Sequence, residues 1–397
     1  MGNHTPLKLG VLANEFFDPE LGRLGGFGWA TRQLARLYAD PAHGVELVFL
    51  TGELRPRSGE RETRVHETRL ILRSPWGAEM RRARAERLDL LLLVDYRPNY
   101  RRVCWALPRV PKIVWVRDPR PPEDVRRVDG LRIPAQEDVK PKGTLQPDCS
   151  SLRTLARASR WLRTPLLFAS PASSLRAKLE GMIGADCVRD FLPLPNPIDL
   201  ASGPVRKAER PLVLFLARRD PYKRPWLFAE LARRFPGVDF AMAGRQHHFG
   251  RGAWRAEGLP PNLRLLGHVD GAAKERLLGD AWVLVNTSIH EGLAVSLLEG
   301  LAWETPLLSC VDPDRVASRF GIHVGDFPGS GEAALPALEK GLSRLLGDDS
   351  LRRALGRAGR RWVEETHTRE RFLAEFARLC ALAGVRPPAS TALSARL

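Results

Sequence analysis

The chain has little of several things, and each shortage removes a class of protein. Only five of its 397 residues are cysteine (Cys104, Cys149, Cys187, Cys310 and Cys380). They are scattered, show no metal-ligand spacing and cannot all pair, which excludes a disulfide scaffold and points to a reducing compartment. No apolar run approaches twenty residues, so no membrane-spanning helix is expected. The longest, Leu88 to Val94, is interrupted by Asp89 and reads as a buried strand. The opening Met1 to Pro6 has no basic segment followed by an apolar one, so no secretory signal is expected. The glycines of a dinucleotide fingerprint are missing, which sets aside a nicotinamide dehydrogenase. His247, His248 and His290 have no partners at metal-binding spacing, so no metal site is assigned. Acidic residues are also in deficit: 62 Lys and Arg against 46 Asp and Glu give a formal charge of +16. Such a surface attracts nucleotide sugars, lipid headgroups or diphosphates, and nucleic acid, or simply reflects arginine-rich decoration.

What remains is an alternation of apolar runs and amphipathic stretches. Lys8 to Ala13, Val45 to Leu50, Arg64 to Leu72, Leu88 to Val94 and Pro111 to Val116 read as strands. Helical spacing lies between several of them, from Trp29 to Tyr38, Glu79 to Arg87 and Val103 to Leu107. Strand–helix alternation predicts parallel sheets covered on both faces, with ligands gathering beyond the strand C-termini. Asp95, Arg117 and Asp118 fall at such ends and are candidate ligand contacts, with an Arg117–Asp118 ion pair as the alternative. Residues 119–149 are rich in proline and charge and read as a long loop. From Ser150 to Arg163 the pattern is helical, with Arg153, Arg157 and Arg160 on one face and Leu152, Leu155 and Ala156 on the other. That basic face is either solvated or suited to an anionic membrane.

The second half holds the sharper signals. Pro211 to Leu216 is an apolar strand, followed by Ala217-Arg218-Arg219-Asp220-Pro221-Tyr222-Lys223-Arg224. Two cations on one loop at a strand end suit a diphosphate. Trp282 to Val285 is another strand, followed by Asn286-Thr287-Ser288 and then His290-Glu291-Gly292-Leu293-Ala294-Val295-Ser296-Leu297-Leu298-Glu299. A helix is predicted to open near Leu293, so the backbone of Leu293 and Ala294 is expected to offer free N–H groups to an anion, and Gly292 allows close approach. Glu299 lies inside that helix and Glu291 just before it. As isolated glutamates both could be solvated, but the apolar neighbours Leu297, Leu298, Leu301 and Ala302 require Glu299 to find a partner.

The segment from Ser288 to Pro306 resembles the E-x7-E signature of retaining glycosyltransferases with the GT-B fold, in the large family numbered four. Ser288, Glu291, Gly292, Leu293, Glu299, Ala302 and Pro306 match, whereas Ala294, Gly300 and Glu304 stand where Gly, Ala and Gly are usual. Arg218 and Lys223 are similar to the family's G-R-x-x-x-x-K-G pair, with Ala217 and Arg224 in the glycine positions. Pro195-Asn196-Pro197-Ile198-Asp199 resembles its domain-junction motif.

This resemblance implies two doubly wound Rossmann-like α/β domains facing across a cleft. Their expected extents are 1–200 on the acceptor side, a linker over 201–210, and 211–368 on the donor side. A last helix within 369–397 is expected to return to the first domain. The implied activity is transfer of a hexose from a UDP-, GDP-, ADP- or TDP-sugar to an unidentified acceptor, with retention and without a metal or other cofactor. It assigns Arg218 and Lys223 to the diphosphate, Glu299 to the ribose, Glu291 to the sugar, His268 and Val269 to the base, and Gly25 and Gly26 to the sugar-facing loop. A histidine is usual at the place of Arg117. The setting is expected to be cytoplasmic, with anionic membrane as a further candidate partner and nucleic acid not among those expected. A nucleotide-sugar epimerase or hydrolase, and an anion-binding module without activity, remain alternatives on the same fold.

Overall fold

A computed structural model describes residues 5–18, 20–21, 24–52, 62–74, 77–134, 149–201, 203–246 and 253–388, and of Cys149 the backbone only. Gly22, Arg23, His247, His248 and residues 135–148 of the expected 119–149 loop therefore lie outside the described residues. The chain divides into two units: Met1–Pro121 with Pro147–Pro197 and Arg369–Leu397, and Pro122–Gln146 with Ile198–Thr368.

In the first unit the strands are β1 (Leu7–Ala13), β2 (Val45–Thr51), β3 (Glu62–Val65), β4 (Thr68–Ile71), β5 (Leu90–Val94), β6 (Lys112–Trp115), β7 (Leu166–Ser170) and β8 (Phe191–Pro193). They pair in the order β3-β4-β2-β1-β5-β6-β7-β8. Every pairing is parallel except β3 with β4. The middle strands are apolar on both faces: all five residues of β5 are buried, as a sheet covered on two sides demands. The covering helices are α1 (Gly26–Tyr38), α2 (Ala78–Ala85), α3 (Arg101–Ala106), α5 (Cys149–Trp161), α6 (Leu175–Ile183) and α13 (Arg369–Leu382). Helix α13 lays Phe372 against Trp115, ring centroids 5.5 Å apart, and Phe376 against Tyr38 at 5.9 Å.

Two local readings are corrected here. The expected strand Arg64 to Leu72 is a hairpin, β3 and β4, turning at His66 and Glu67. Both turn residues have positive φ (49° and 60°), the backbone a two-residue hairpin of this twist requires. Neither is Gly or Asn, so the usual sequence signal is missing. On α5, Arg153, Arg157 and Arg160 are all exposed, in line with a solvated basic face, and two of them also bond to backbone. Arg153 Nε donates to the Ile183 carbonyl at 3.1 Å and Arg160 Nη1 to that of Asp186 at 3.1 Å. The second correction concerns residues 122–129, read as loop. They form helix α4 (Pro122–Asp129), with proline first, Glu123 and Asp124 in its first turn and Arg126 and Arg127 in its last. Its Val128, with Leu131 and Ile133 beyond it, belongs to the apolar core of the second unit.

The second unit has strands β9 (Leu212–Leu216), β10 (Asp239–Ala243), β11 (Leu263–Gly267), β12 (Val283–Asn286), β13 (Leu307–Ser309) and β14 (Gly321–His323). All are parallel, in the order β11-β10-β9-β12-β13-β14. The remaining helices are α7 (Pro225–Arg234), α8 (Gly271–Asp280), α9 (Val295–Ala302), α10 (Val316–Arg319), α11 (Leu335–Gly347) and α12 (Asp349–Thr366). The order reverses direction between β9 and β12, so the loops leaving these neighbours part and form a crevice at the strand C-termini.

Gly300 in α9 stands where alanine is usual in the resembled family. A Cβ there would lie 3.4 Å from Leu284 Cδ2, ordinary contact distance. Gly300→Ala should therefore stabilise the chain by roughly 0.5–1 kcal/mol through helix propensity, seen as a melting temperature a few degrees higher.

Candidate active site

The loop leaving β9 is set by a close approach. A Cβ on Gly244, at the end of β10, would sit 1.8 Å from the Ala217 carbonyl, so Gly244 must be glycine for the two strand ends to meet. Beyond Ala217 the chain passes Arg218 and makes a single 3-10 turn, Pro221–Lys223. Buried Asp220, with no exposed surface, takes Arg218 Nε at 3.1 Å and the Tyr222 hydroxyl at 2.7 Å. Arg218 Nη2 in turn donates to the Tyr222 oxygen at 2.5 Å. A guanidinium held by two groups loses rotamer freedom before any anion arrives.

Arg224 closes the turn in the left-handed conformation, φ 47° and ψ 56°. That explains why glycine is usual at this place: only glycine adopts it without strain. Arg224 offsets the strain with its side chain, which is wholly buried. Nε donates to the Thr287 carbonyl at 2.6 Å, Nη2 to that of Ser288 at 3.0 Å and Nη1 to that of Phe327 at 2.6 Å. The guanidinium thus fastens the β9 loop to the β12 loop, although burial pulls its pKa down. Glu304 repeats the pattern: it too replaces a usual glycine and has φ 54°. Ala294 does not, with φ −64°.

From the end of β12, Asn286 Oδ1 accepts the Ser288 N–H at 2.8 Å, and Glu291 follows three residues later. Glu291 Oε1 receives Lys223 Nζ at 2.5 Å, Ser288 Oγ at 2.6 Å and Asn286 Nδ2 at 3.4 Å. Arg218, Lys223 and Glu291 are thereby brought onto two facing loops at adjacent strand ends. An ammonium has three donors, so the bond to Glu291 does not exhaust Lys223. His290 Nδ1, next in chain, lies 3.4 Å from Asp124 Oδ2 of α4.

Helix α9 opens two residues later than the sequence suggests. Ala294 is its N-cap and Leu297 N–H already bonds back to the Ala294 carbonyl, so Val295 and Ser296 supply its first-turn amides. Glu299 is one turn in, and its partner is Lys274 of α8, Nζ to Oε1 2.7 Å. Both side chains are largely buried, 15% and 14% exposed, which meets the need for a partner. Gly267, φ 66°, precedes exposed His268 and half-buried Val269 at the end of β11.

The candidates in the first unit are arranged otherwise. Gly25 caps α1 and Gly26 begins it, and a Cβ on Gly26 would meet nothing within 4 Å. Asp95, φ 57°, turns its Oδ1 onto the backbone N–H of Arg117 at 3.2 Å and of Asp118 at 3.4 Å, while burial raises its pKa. Arg117 and Asp118 each take a further hydrogen-bond partner of their own. Arg117 Nη1 donates to Asn196 Oδ1 at 2.6 Å and lies 4.4 Å over the Trp115 ring, with its pKa pulled down to about 10 by burial. Asp118 Oδ2 accepts Arg120 Nε at 3.0 Å. Among the described residues no group of three or more His, Cys, Asp or Glu could hold a metal ion, and no helix is long and apolar enough to cross a membrane.

Asp220, Tyr222 and Lys274 were not singled out by sequence, and Ser288 was marked only as a motif match. Asp220 and Ser288 sit within the motifs, but Lys274 lies 25 positions from Glu299 with no local signal.

Several solved structures share this fold. Sucrose-phosphate synthase from Thermosynechococcus elongatus superposes with a TM-score of 0.70 at 16% identity, over 95% of this chain and 98% of that one. HepE from Anabaena, solved in complex with UDP and glucose, gives 0.66 at 14% identity over 95% and 99%. A glycosyltransferase from Rickettsia africae gives 0.60 at 11% identity over 96% and 99%. At such identities the likeness is one of fold, the two-domain GT-B arrangement of parallel sheets. No curated protein matches the sequence. Residues 201–362, which carry Arg218, Lys223, Glu291 and Glu299, match the family described as Glycosyl transferases group 1, so this part of the chain is a domain of that family.

Proposed function

We propose that the chain transfers a hexosyl group from a nucleoside diphosphate sugar to an acceptor hydroxyl, with retention at the anomeric carbon. The observation that carries this reading is the meeting of Arg218, Lys223 and Glu291 beside the N-terminus of α9, in a glycosyl transferases group 1 domain. Arg218, Lys223 and the amides of Val295 and Ser296 receive the diphosphate. Glu299, oriented by Lys274, accepts the ribose hydroxyls, and His268 and Val269 face the base.

The bond from the anomeric carbon to the diphosphate oxygen breaks and leaves negative charge on that oxygen, next to two cations and a helix dipole. Positive charge develops on the sugar ring, near Glu291. The acceptor oxygen attacks from the face the diphosphate leaves, and its proton passes to the departing phosphate oxygen. Two side-chain cations do the neutralising, so chelator is expected to leave turnover unchanged. HepE has been solved with UDP-glucose, which makes UDP-glucose the first donor to assay. Cys104, Cys187, Cys310 and Cys380 are free and buried, in keeping with a reducing, cytoplasmic setting.

A thermal-shift panel of UDP-, GDP-, ADP- and TDP-sugars identifies the donor, because a ligand of the folded state raises the melting temperature. With that donor, Glu299→Ala should weaken binding by roughly tenfold or more, as loss of a charged hydrogen-bonding partner commonly does. Unchanged affinity would remove Glu299 from the site. A donor consumed equally fast without acceptor would instead favour the hydrolase or epimerase reading.

A further inference from the structure

Helices α2, α3 and α5 each run back to the N-terminal ends of β5, β6 and β7, which are neighbours in the sheet. Their last turns therefore meet at one rim of the first unit, at the end of the sheet opposite the strand C-termini. Two bonds tie the rim together. The Lys112 N–H donates to the Pro165 carbonyl at 2.9 Å, joining the turn after α3 to the turn after α5. Arg84 Nε donates to the Ala106 carbonyl at 2.9 Å, joining α2 to α3. The rim is also stiff. Lys112 is wholly buried, and its ammonium donates to the carbonyls of Leu107 at 2.6 Å and Val110 at 2.7 Å.

From this rim two indoles stand out into solvent, Trp161 at 83% exposure and Trp105 at 44%. They are two of the four large apolar side chains exposed among the described residues, the others being Leu265 and Leu382. Trp105 and Trp161 occupy the last turns of adjacent helices, so they reach a similar level and can meet one plane together. Exposed Arg84 lies in the last turn of α2, and exposed Arg87, Arg109 and Arg163 lie in the turns that follow α2, α3 and α5. Among the carboxylates nearby in the fold, Asp89 accepts the Lys8 N–H at 2.8 Å and Asp186, in the turn after α6, lies 3.9 Å from Arg160, while Asp190 is exposed.

Indoles prefer the boundary between water and hydrocarbon, and guanidinium groups bind phosphate while their stems cover apolar surface. We propose that this rim docks on an anionic phospholipid surface, with Trp105 and Trp161 at headgroup depth and the four arginines against the phosphates. Two exposed indoles at the ends of adjacent helices suit a flat partner better than a nucleic-acid strand, which needs a groove that tracks its backbone. This surface is separate from the β9 and β12 loops and stands whether or not the chain transfers sugar.

The test is co-sedimentation of the full chain with vesicles of phosphatidylcholine alone or mixed equally with phosphatidylglycerol. Wild type should pellet with the mixed vesicles only. Arg109→Gln with Arg163→Gln should weaken partitioning by about fivefold for each arginine lost. Trp105→Ala with Trp161→Ala keeps every charge, and should weaken partitioning on the order of tenfold or more. Both pairs are exposed, and unchanged melting curves confirm folding. Wild type that fails to pellet, or a tryptophan double variant that pellets like wild type, overturns the proposal. So does binding to a single-stranded oligonucleotide without binding to mixed vesicles.

Discussion

Lys223→Ala is expected to lower turnover by about 10²–10³-fold, the usual cost of removing one preorganised donor from a developing anion. Arg218→Ala should act in the same range and direction. The two variants differ in what they leave behind. Without Lys223, Glu291 loses the cation on its Oε1, which Ser288 and Asn286 still reach, in a side chain that is 9% exposed. A nearly buried carboxylate that loses its cation is destabilised, so Lys223→Ala should also lower the melting temperature. Adding Glu291→Gln should recover part of that stability and none of the turnover. Arg218 is held by Asp220 and Tyr222, so Tyr222→Phe should cost far less than Arg218→Ala. Steady-state assays with saturating donor separate these effects. Wild-type turnover in both alanine variants would overturn the assignment.

The largest expected effect on stability belongs to Arg224→Ala. The substitution removes a wholly buried side chain and strands the carbonyls of Thr287, Ser288 and Phe327, all bonded to it. Each stranded group carries a penalty of about 1–3 kcal/mol, partly relieved by entering water. A net loss of roughly 3–5 kcal/mol is expected, or a fall in melting temperature on the order of ten degrees for a domain of this size. Arg224→Gly separates the two roles of the position. It relieves the left-handed backbone strain, about 1 kcal/mol, but loses the same three bonds, so it should fall between Arg224→Ala and wild type. Arg224→Lys keeps the charge but not the fork, and a single ammonium cannot span three carbonyls in fixed directions. A melting temperature within two or three degrees of wild type in Arg224→Ala would contradict this account.

The same residue shows how far a sequence can be read. The apolar runs that became β1, β5, β9 and β12 were plain, because strands buried on both faces leave no polar positions to blur them. The loop cations and the two glutamates were plain too, since each pair lies within one short segment. Arg224 was visible only as a missing glycine. Its function depends on the β12 loop, 63 residues away in chain. Lys274 escaped for the same reason: nothing near it in sequence marks it as the partner of Glu299. Helix α4 carried correct end signals, with proline, then acids, then bases, but its proline-rich surroundings masked them. Arg117 was placed correctly at a strand end. Only packing reveals that its guanidinium is spent on Asn196 and Trp115.

The most direct test of the central claim is a crystal structure with UDP bound, or with whichever nucleoside diphosphate the thermal-shift panel selects. The account predicts the diphosphate between Arg218 and Lys223 at the first turn of α9. It also predicts the ribose hydroxyls on Glu299, with the Lys274 pair retained or slightly opened. A nucleotide bound away from the β9 and β12 loops, or bound there with Glu299 turned from the ribose, would contradict it.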